Sequence, residues 1–286
     1  MHYKTKEIKS KYSKNSCKNN ISVLDLILGI NKAGKNRGSY RLKVINLGHV
    51  IKVYRYTKDV WMGFDNMGGR MGKATKEEKI ENRIKVVGRI RNKIINYALA
   101  NFKHTDKFVT LTFRDHITDI KVANKEFKKF IKRLRRYLKK DFRYIAVIEF
   151  TQKGRVHYHL MMDIEYIKKS ELIRVWKCGD IVKINRMDKQ NNGSGVDNVG
   201  AYLVKYMNKD VKDKRLIGNK AYLISRNIKK PEIIVGSRAE KFIKDKGIEK
   251  LQSVNKHVYE RKGKNYDGGI VTYDEYNLKR AKLILN

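Results

Sequence analysis

Two histidines one residue apart, His157 and His159, lie in the apolar run Val156 to Ile164 (VHYHLMMDI). The period of two in an extended strand puts both imidazoles on one face, while Val156, Tyr158 and Leu160 point the other way, into a core. Neighbouring imidazoles on one strand face make a clamp for a divalent metal. A second run, Tyr144 to Phe150 (YIAVIEF), precedes the first across the short turn Gln152-Lys153-Gly154-Arg155, so the two read as a hairpin. Its Glu149 stands between Ile148 and Phe150, where a carboxylate facing the core would be costly. Glu149 is therefore expected to face outward, beside the histidines. Two imidazoles and one carboxylate leave positions on Mg²⁺ or Mn²⁺ for a phosphate oxygen and water. Glu149 paired with a surface lysine is the plainer alternative.

Downstream, the segment 198–209 (NVGAYLVKYMNK) has helical spacing. Tyr202, Lys205, Tyr206 and Lys209 fall at i, i+3, i+4 and i+7 and share one face, with Val199, Leu203 and Met207 as the buried stripe. A tyrosine beside a lysine suits nucleophilic attack on phosphorus, because the ammonium favours the phenolate and offsets transition-state charge. Packing is the commoner fate of tyrosine; the histidines upstream give the catalytic reading its weight.

The elements that must position these groups are regular over 107–217. Phe108 to Phe113 (FVTLTF) alternates as a strand. Asn124 to Lys140 carries Phe127, Phe130, Ile131, Leu134 and Leu138 at helical spacing with a basic opposite face. The hairpin follows, then a short helix at Ser170 to Trp176, a strand at Asp180 to Met187 (DIVKINRM), a turn at Asn191 to Val196, and the tyrosine helix capped by Asp197 or Asn198. This order predicts an α+β fold, an antiparallel sheet with helices packed on one face and the other face free for a ligand. Ahead of it, residues 40–56 read as one or two strands. Thr75 with Glu78 forms a capping box that opens an amphipathic helix over 76–100, whose stripe is Ile80, Ile84, Val87, Ile94 and Tyr97.

The chain divides into a disordered basic arm (1–20), a basic N-terminal region with strands and the long helix (21–100), the chemistry-bearing domain (101–230) and a C-terminal extension (231–286) that carries strand-like and helical pieces. With 67 Lys and Arg against 29 Asp and Glu, the net charge of +38 marks a binder of polyanions, driven by counterion release. Charge alone fits a protein that coats RNA equally well. The segment Gly63 to Gly72 is glycine-rich but is no phosphate loop, since Ala74 stands where Ser or Thr would follow Lys73. Two cysteines, Cys17 and Cys178, exclude a disulfide framework and suit a reducing cytosol. No apolar run is long enough to span a membrane, Ile21 to Ile30 being broken by Asp25.

FVTLTF, Glu149-x7-His157-Tyr158-His159 and Tyr202-x-x-Lys205-Tyr206, in that order, resemble the three motifs of rolling-circle replication initiators of the HUH endonuclease superfamily, in particular the filamentous-phage type. Conjugative relaxases place their tyrosine near the N-terminus instead. The resemblance spans about 107–230 and ends in the run Tyr222 to Pro231. It implies a ferredoxin- or RRM-like nuclease fold and a Mg²⁺ or Mn²⁺ site at Glu149, His157 and His159. It also implies Tyr202 as nucleophile with Lys205 assisting, and Tyr206 as a possible second nucleophile. The implied substrate is single-stranded or hairpin origin DNA, nicked in the bacterial cytosol to leave a 5′-phosphotyrosine bond and a 3′-OH primer. Host helicase and DNA polymerase are the implied partners, since no helicase motif is present. A tyrosine transposase of the same superfamily and a non-catalytic nucleic-acid binder are the alternatives.

Overall fold

A computed structural model of the chain describes residues 38–63, 75–180, 182–187, 199–209, 213–216, 219–220, 222–263 and 266–280. The basic arm, the run Ile21 to Ile30, most of the glycine-rich segment, the turn 191–196 and its capping residues lie outside them, as does the Glu78 side chain of the capping box.

The fold is α+β, with two five-stranded antiparallel sheets. The central sheet is built from β3 (Lys107–Thr112), β4 (Tyr144–Phe150), β5 (Val156–Met162), β6 (Val182–Arg186) and β7 (Tyr222–Ile224), in the order β6-β3-β5-β4-β7. On its first face Val109, Leu111, Ala146, Ile148, Val156, Tyr158 and Leu160 pack against two helices, α2 (Ile120–Leu138) and α3 (Lys169–Trp176). α2 begins a turn earlier than its apolar periodicity suggests, because the Asp119 carboxylate accepts from the backbone N–H of Lys121 at 2.6 Å and caps it. Tyr158 is fully buried and donates its hydroxyl proton to Asn124 Oδ1 at 2.8 Å. Burying one Leu- or Phe-sized side chain contributes about 1.5–3 kcal/mol, so this layer is a large part of the domain's driving force.

The second face is not open along its length. Phe108, Ile145, Val147 and Met161 line it, and such a surface must be covered. The long helix α1 (Lys76–Asn101) covers it with Val87, Ile94, Ala98 and Leu99, joined by α4 (Val199–Val204) with Val199 and Leu203 and by Met207 of the short α5 (Tyr206–Lys209). Helices therefore lie on both faces, and the end of the second face that carries the polar residues opens into a cavity. α4 sits so close to α1 that a Cβ on Gly200 would lie 2.6 Å from Ile95 Cα.

The other sheet joins the two ends of the described chain. β1 (Gly38–Asn46) and β2 (Val50–Met62) pair with β8 (Glu232–Val235), β9 (Asn255–Gly263) and β10 (Tyr266–Asn277) in the order β8-β1-β2-β10-β9. One of its faces, bearing Val44, Ile51, Val53 and Tyr276, is covered by α6 (Ser237–Asp245) and Ile248. Among the described residues no helix is long and apolar enough to cross a membrane.

Candidate metal and tyrosine site

The β4–β5 hairpin closes through Gly154, whose φ of +80° is a conformation that residues with a side chain rarely adopt. Its backbone N–H donates to Thr151 O at 2.8 Å, and Thr151 N to Arg155 O at 2.9 Å. That closure fixes the register so that Glu149 stands directly opposite His157, and Val147 opposite His159. β3 lies on the other side of β5 and sets Thr112 against His157 and Thr110 against His159.

Glu149, His157 and His159 each offer one ligand atom, and these atoms lie within 4.8 Å of one another. His159 Nε2 faces Glu149 Oε2 at 2.5 Å. On its other side, His159 Nδ1 is 3.2 Å from Thr110 Oγ1, which orients the ring so that Nε2 points at the carboxylate. His157 Nε2 is shielded from solvent and has no hydrogen-bond partner. Burial depresses the His157 pKa below the usual imidazole value, and the neighbouring His159 adds to this, so the ring is held neutral. A neutral imidazole with an unsatisfied nitrogen, next to a second, oriented imidazole and a carboxylate, fits a divalent cation better than it fits a hydrogen-bond network.

Glu149 is on the expected face but is not outward in the sense of being exposed; it is 8% accessible. The reason is the covering layer. The Tyr206 ring stacks on the His159 ring, with centroids 3.6 Å apart and planes 14° from parallel. This roofs the cluster on one side.

Tyr202, Lys205 and Tyr206 are brought together as the helical spacing requires, although the helix breaks at Lys205 into α4 and α5. The Tyr206 hydroxyl donates to the Tyr202 hydroxyl at 3.3 Å. Lys205 Nζ stands 3.7 Å from the centroid of the Tyr202 ring and 5.1 Å from that of Tyr206. Burial, then the bond to Tyr202, raises the Tyr206 phenol well above its ordinary pKa. Val199, Leu203 and Met207 are buried as the stripe predicts.

Both phenols and both histidines line one cavity of about 430 Å³, together with Phe108, Thr110, Thr112, Lys183 and Asn185. None of the last five was named as a site residue from sequence, although Phe108, Thr110 and Thr112 lie in the FVTLTF motif. Their signal was present as alternation. In β3, Thr110 and Thr112 interleave with buried Val109 and Leu111, and in β6, Lys183 and Asn185 flank Ile184. Polar residues at every second position of neighbouring strands mark a face that serves something other than a core.

Residues 106–211 match the family model for replication-associated proteins of the ORF2 and gene 2 protein type. The match begins just ahead of β3 and ends beyond α5, so it encloses Glu149, His157, His159 and both tyrosines. The chain is also 30% identical over 129 residues to the Phasyl DNA replicon protein arp of Escherichia coli, a match that covers 37% of this chain and 44% of that relative. The chain therefore spans less than half the length of the curated relative it matches. No solved structure matches.

Proposed function

We propose that this protein is a replication initiator that nicks single-stranded or hairpin origin DNA and links itself through Tyr202 to the 5′-phosphate end that the break creates. The observation that carries the reading is one cavity lined by two hydrogen-bonded phenols, Lys183 and both histidines, whose ligand atoms group with that of the buried Glu149. Mg²⁺ or Mn²⁺, held by Glu149, His157 and His159, would supply Lewis-acid polarisation of the scissile phosphate.

The chain's own residues account for the rest. Tyr206 donates its hydroxyl proton to Tyr202 and is itself held protonated by its raised pKa. That bond holds the two hydroxyls together, and the Lys205 ammonium against the Tyr202 ring supplies positive charge where negative charge develops in the transition state. The Tyr202 oxygen attacks phosphorus, an O–P bond to tyrosine forms and the P–O3′ bond breaks. The proton lost from the phenol is balanced by the one taken up on the departing 3′ oxygen, leaving a 3′-OH that a polymerase can extend. Because phosphodiester exchange conserves the bond energy, religation by the reverse step requires no nucleotide hydrolysis. Thr110 orients His159, and Lys183 and Asn185 line the cavity where the phosphate backbone would lie.

The test is to incubate the protein with Mn²⁺ and a pool of labelled random-sequence single-stranded oligonucleotides, then count adducts that survive denaturing electrophoresis. Tyr202→Phe is expected to abolish the adduct and to leave oligonucleotide binding nearly intact. Loss of the adduct in Tyr206→Phe with retention in Tyr202→Phe would reverse the assignment of the nucleophile.

A further inference from the structure

The sheet β8-β1-β2-β10-β9 has a second face, turned away from α6. Its residues follow from the register. Lys43 of β1 pairs with Tyr54 of β2, Tyr54 with Tyr273 of β10, and Tyr273 with His257 of β9, so one row of side chains crosses four strands. In the next row Tyr56 and Tyr259 flank Val271. Tyr40 joins this cluster edge-on, its ring centroid 5.8 Å from that of Tyr56. Five tyrosines and a histidine thus share one face. Within it the Tyr54 and Tyr273 centroids are 5.0 Å apart, and His257 lies parallel to Tyr273 at 6.1 Å, with 13° between planes.

Cations are interleaved with these rings. Lys43 Nζ stands 4.3 Å from the Tyr54 centroid and 5.7 Å from that of Tyr56, and the Arg261 guanidinium lies 5.8 Å from Tyr56. In the adjoining row, Glu275 on the same face is engaged by Lys52 at 3.6 Å and by the Tyr273 hydroxyl. The balance of charge on the face is therefore positive, in a chain of net charge +38.

Tyrosines that served as a core would be covered. Among the described residues, α1 covers the end of the face that bears Ile45, Lys52 and one side of Tyr54, and there Lys52 Nζ donates to Asn96 Oδ1 at 2.9 Å. Tyr40, Tyr56 and Tyr273 remain partly exposed, and Tyr259, on the edge strand, is 46% exposed. Flat rings set in rows on a sheet, with ammonium and guanidinium groups between them, match the two parts of a single-stranded nucleic acid. Bases stack on the rings and phosphates meet the cations.

We propose that this face is a second contact for single-stranded DNA, a stacking platform separate from the metal and tyrosine cavity. It does not depend on nicking, since a protein that bound DNA without cutting it would use the face in the same way. The test therefore uses the full chain in EDTA, where cleavage plays no part, with a fluorescein-labelled oligothymidine of about 20 nucleotides read by anisotropy.

Tyr259→Ala is expected to weaken binding by about 5- to 150-fold, the worth of one stacked base, and Tyr259→Phe by less than about twofold. Arg261→Gln is expected to reduce the slope of log affinity against log salt by about 0.7, the share of one phosphate contact on a single strand. Photo-crosslinking of a 5-iodouracil oligonucleotide should map to peptides containing residues 54–56 and 257–261. Equal affinity of Tyr259→Ala and the parent, or crosslinks confined to α2 and the metal cavity, would overturn the proposal. Because Tyr259 lies on an edge strand, its replacement leaves the sheet's core untouched, and circular dichroism checks that the variant is folded.

Discussion

Replacing Gly200 by alanine tests whether the packing of α4 on α1 is what places Tyr202. The added Cβ would lie 2.6 Å from Ile95 Cα, 2.9 Å from Ile95 O and 3.0 Å from Ala98 Cβ, and the two nearest atoms are backbone, which cannot swing aside. Reaching an ordinary contact of 3.4 Å requires α4 to retreat by about 0.8 Å. Overpacking of this kind costs about 1–3 kcal/mol. The helical preference of Ala over Gly returns up to about 1 kcal/mol, leaving a net loss of roughly 0–2 kcal/mol. Function should suffer more than stability. Tyr202 sits two residues further along the same short helix, and a misplacement of about 1 Å at a reacting group can cost about a hundredfold in rate.

Gly88 provides the control, since it lies in the partner helix and nothing stands within 4 Å of its would-be Cβ. Gly88→Ala should therefore stabilise the protein by about 1 kcal/mol and leave adduct formation unchanged. Urea unfolding and the denaturing-gel adduct assay, run on both variants, give the comparison. If Gly200→Ala matched Gly88→Ala in unfolding midpoint and in adduct rate, the close approach of the two helices would have no part in holding the tyrosine.

Two further outcomes are expected. Mn²⁺ at about a hundred times its dissociation constant should stabilise the fold by about 2.7 kcal/mol, or roughly 5–10 °C in Tm for a domain of this size. His157→Ala should remove that shift, and a Tm response that survives the substitution would place the metal elsewhere. His49 and His157 both have folded pKa values below the ordinary 6.5, in each case chiefly through burial. The unfolded chain then binds more protons than the native one just below pH 6.5, so stability is full above that pH and falls as the pH drops toward the depressed values. The urea midpoint should accordingly decline between pH 7.5 and pH 5.5, and less steeply in His49→Gln; an equal decline in that variant would remove His49 from the account.

Much of the site was written in local periodicity. Alternation along VHYHLMMDI sets His157 and His159 on one face and Tyr158 in the core, and this holds whatever surrounds the strand. Helical spacing likewise groups Tyr202, Lys205 and Tyr206. The short turn at Gly154 makes a hairpin of β4 and β5, which brings Glu149 across from His157. Each of these relations is set by neighbours within a few residues, where backbone geometry leaves little choice.

What the tertiary structure alone decided is which surfaces meet. Nothing local reports that α1, some 60 residues ahead of the histidines, covers the face expected to be free, or that Tyr206 lies flat on His159. The same holds for β1 and β2 pairing with strands from the far end of the chain, which collects five tyrosines on one surface. Those contacts exist because separate apolar stripes must find one another to leave water, and the choice of partner depends on the shape of the whole chain.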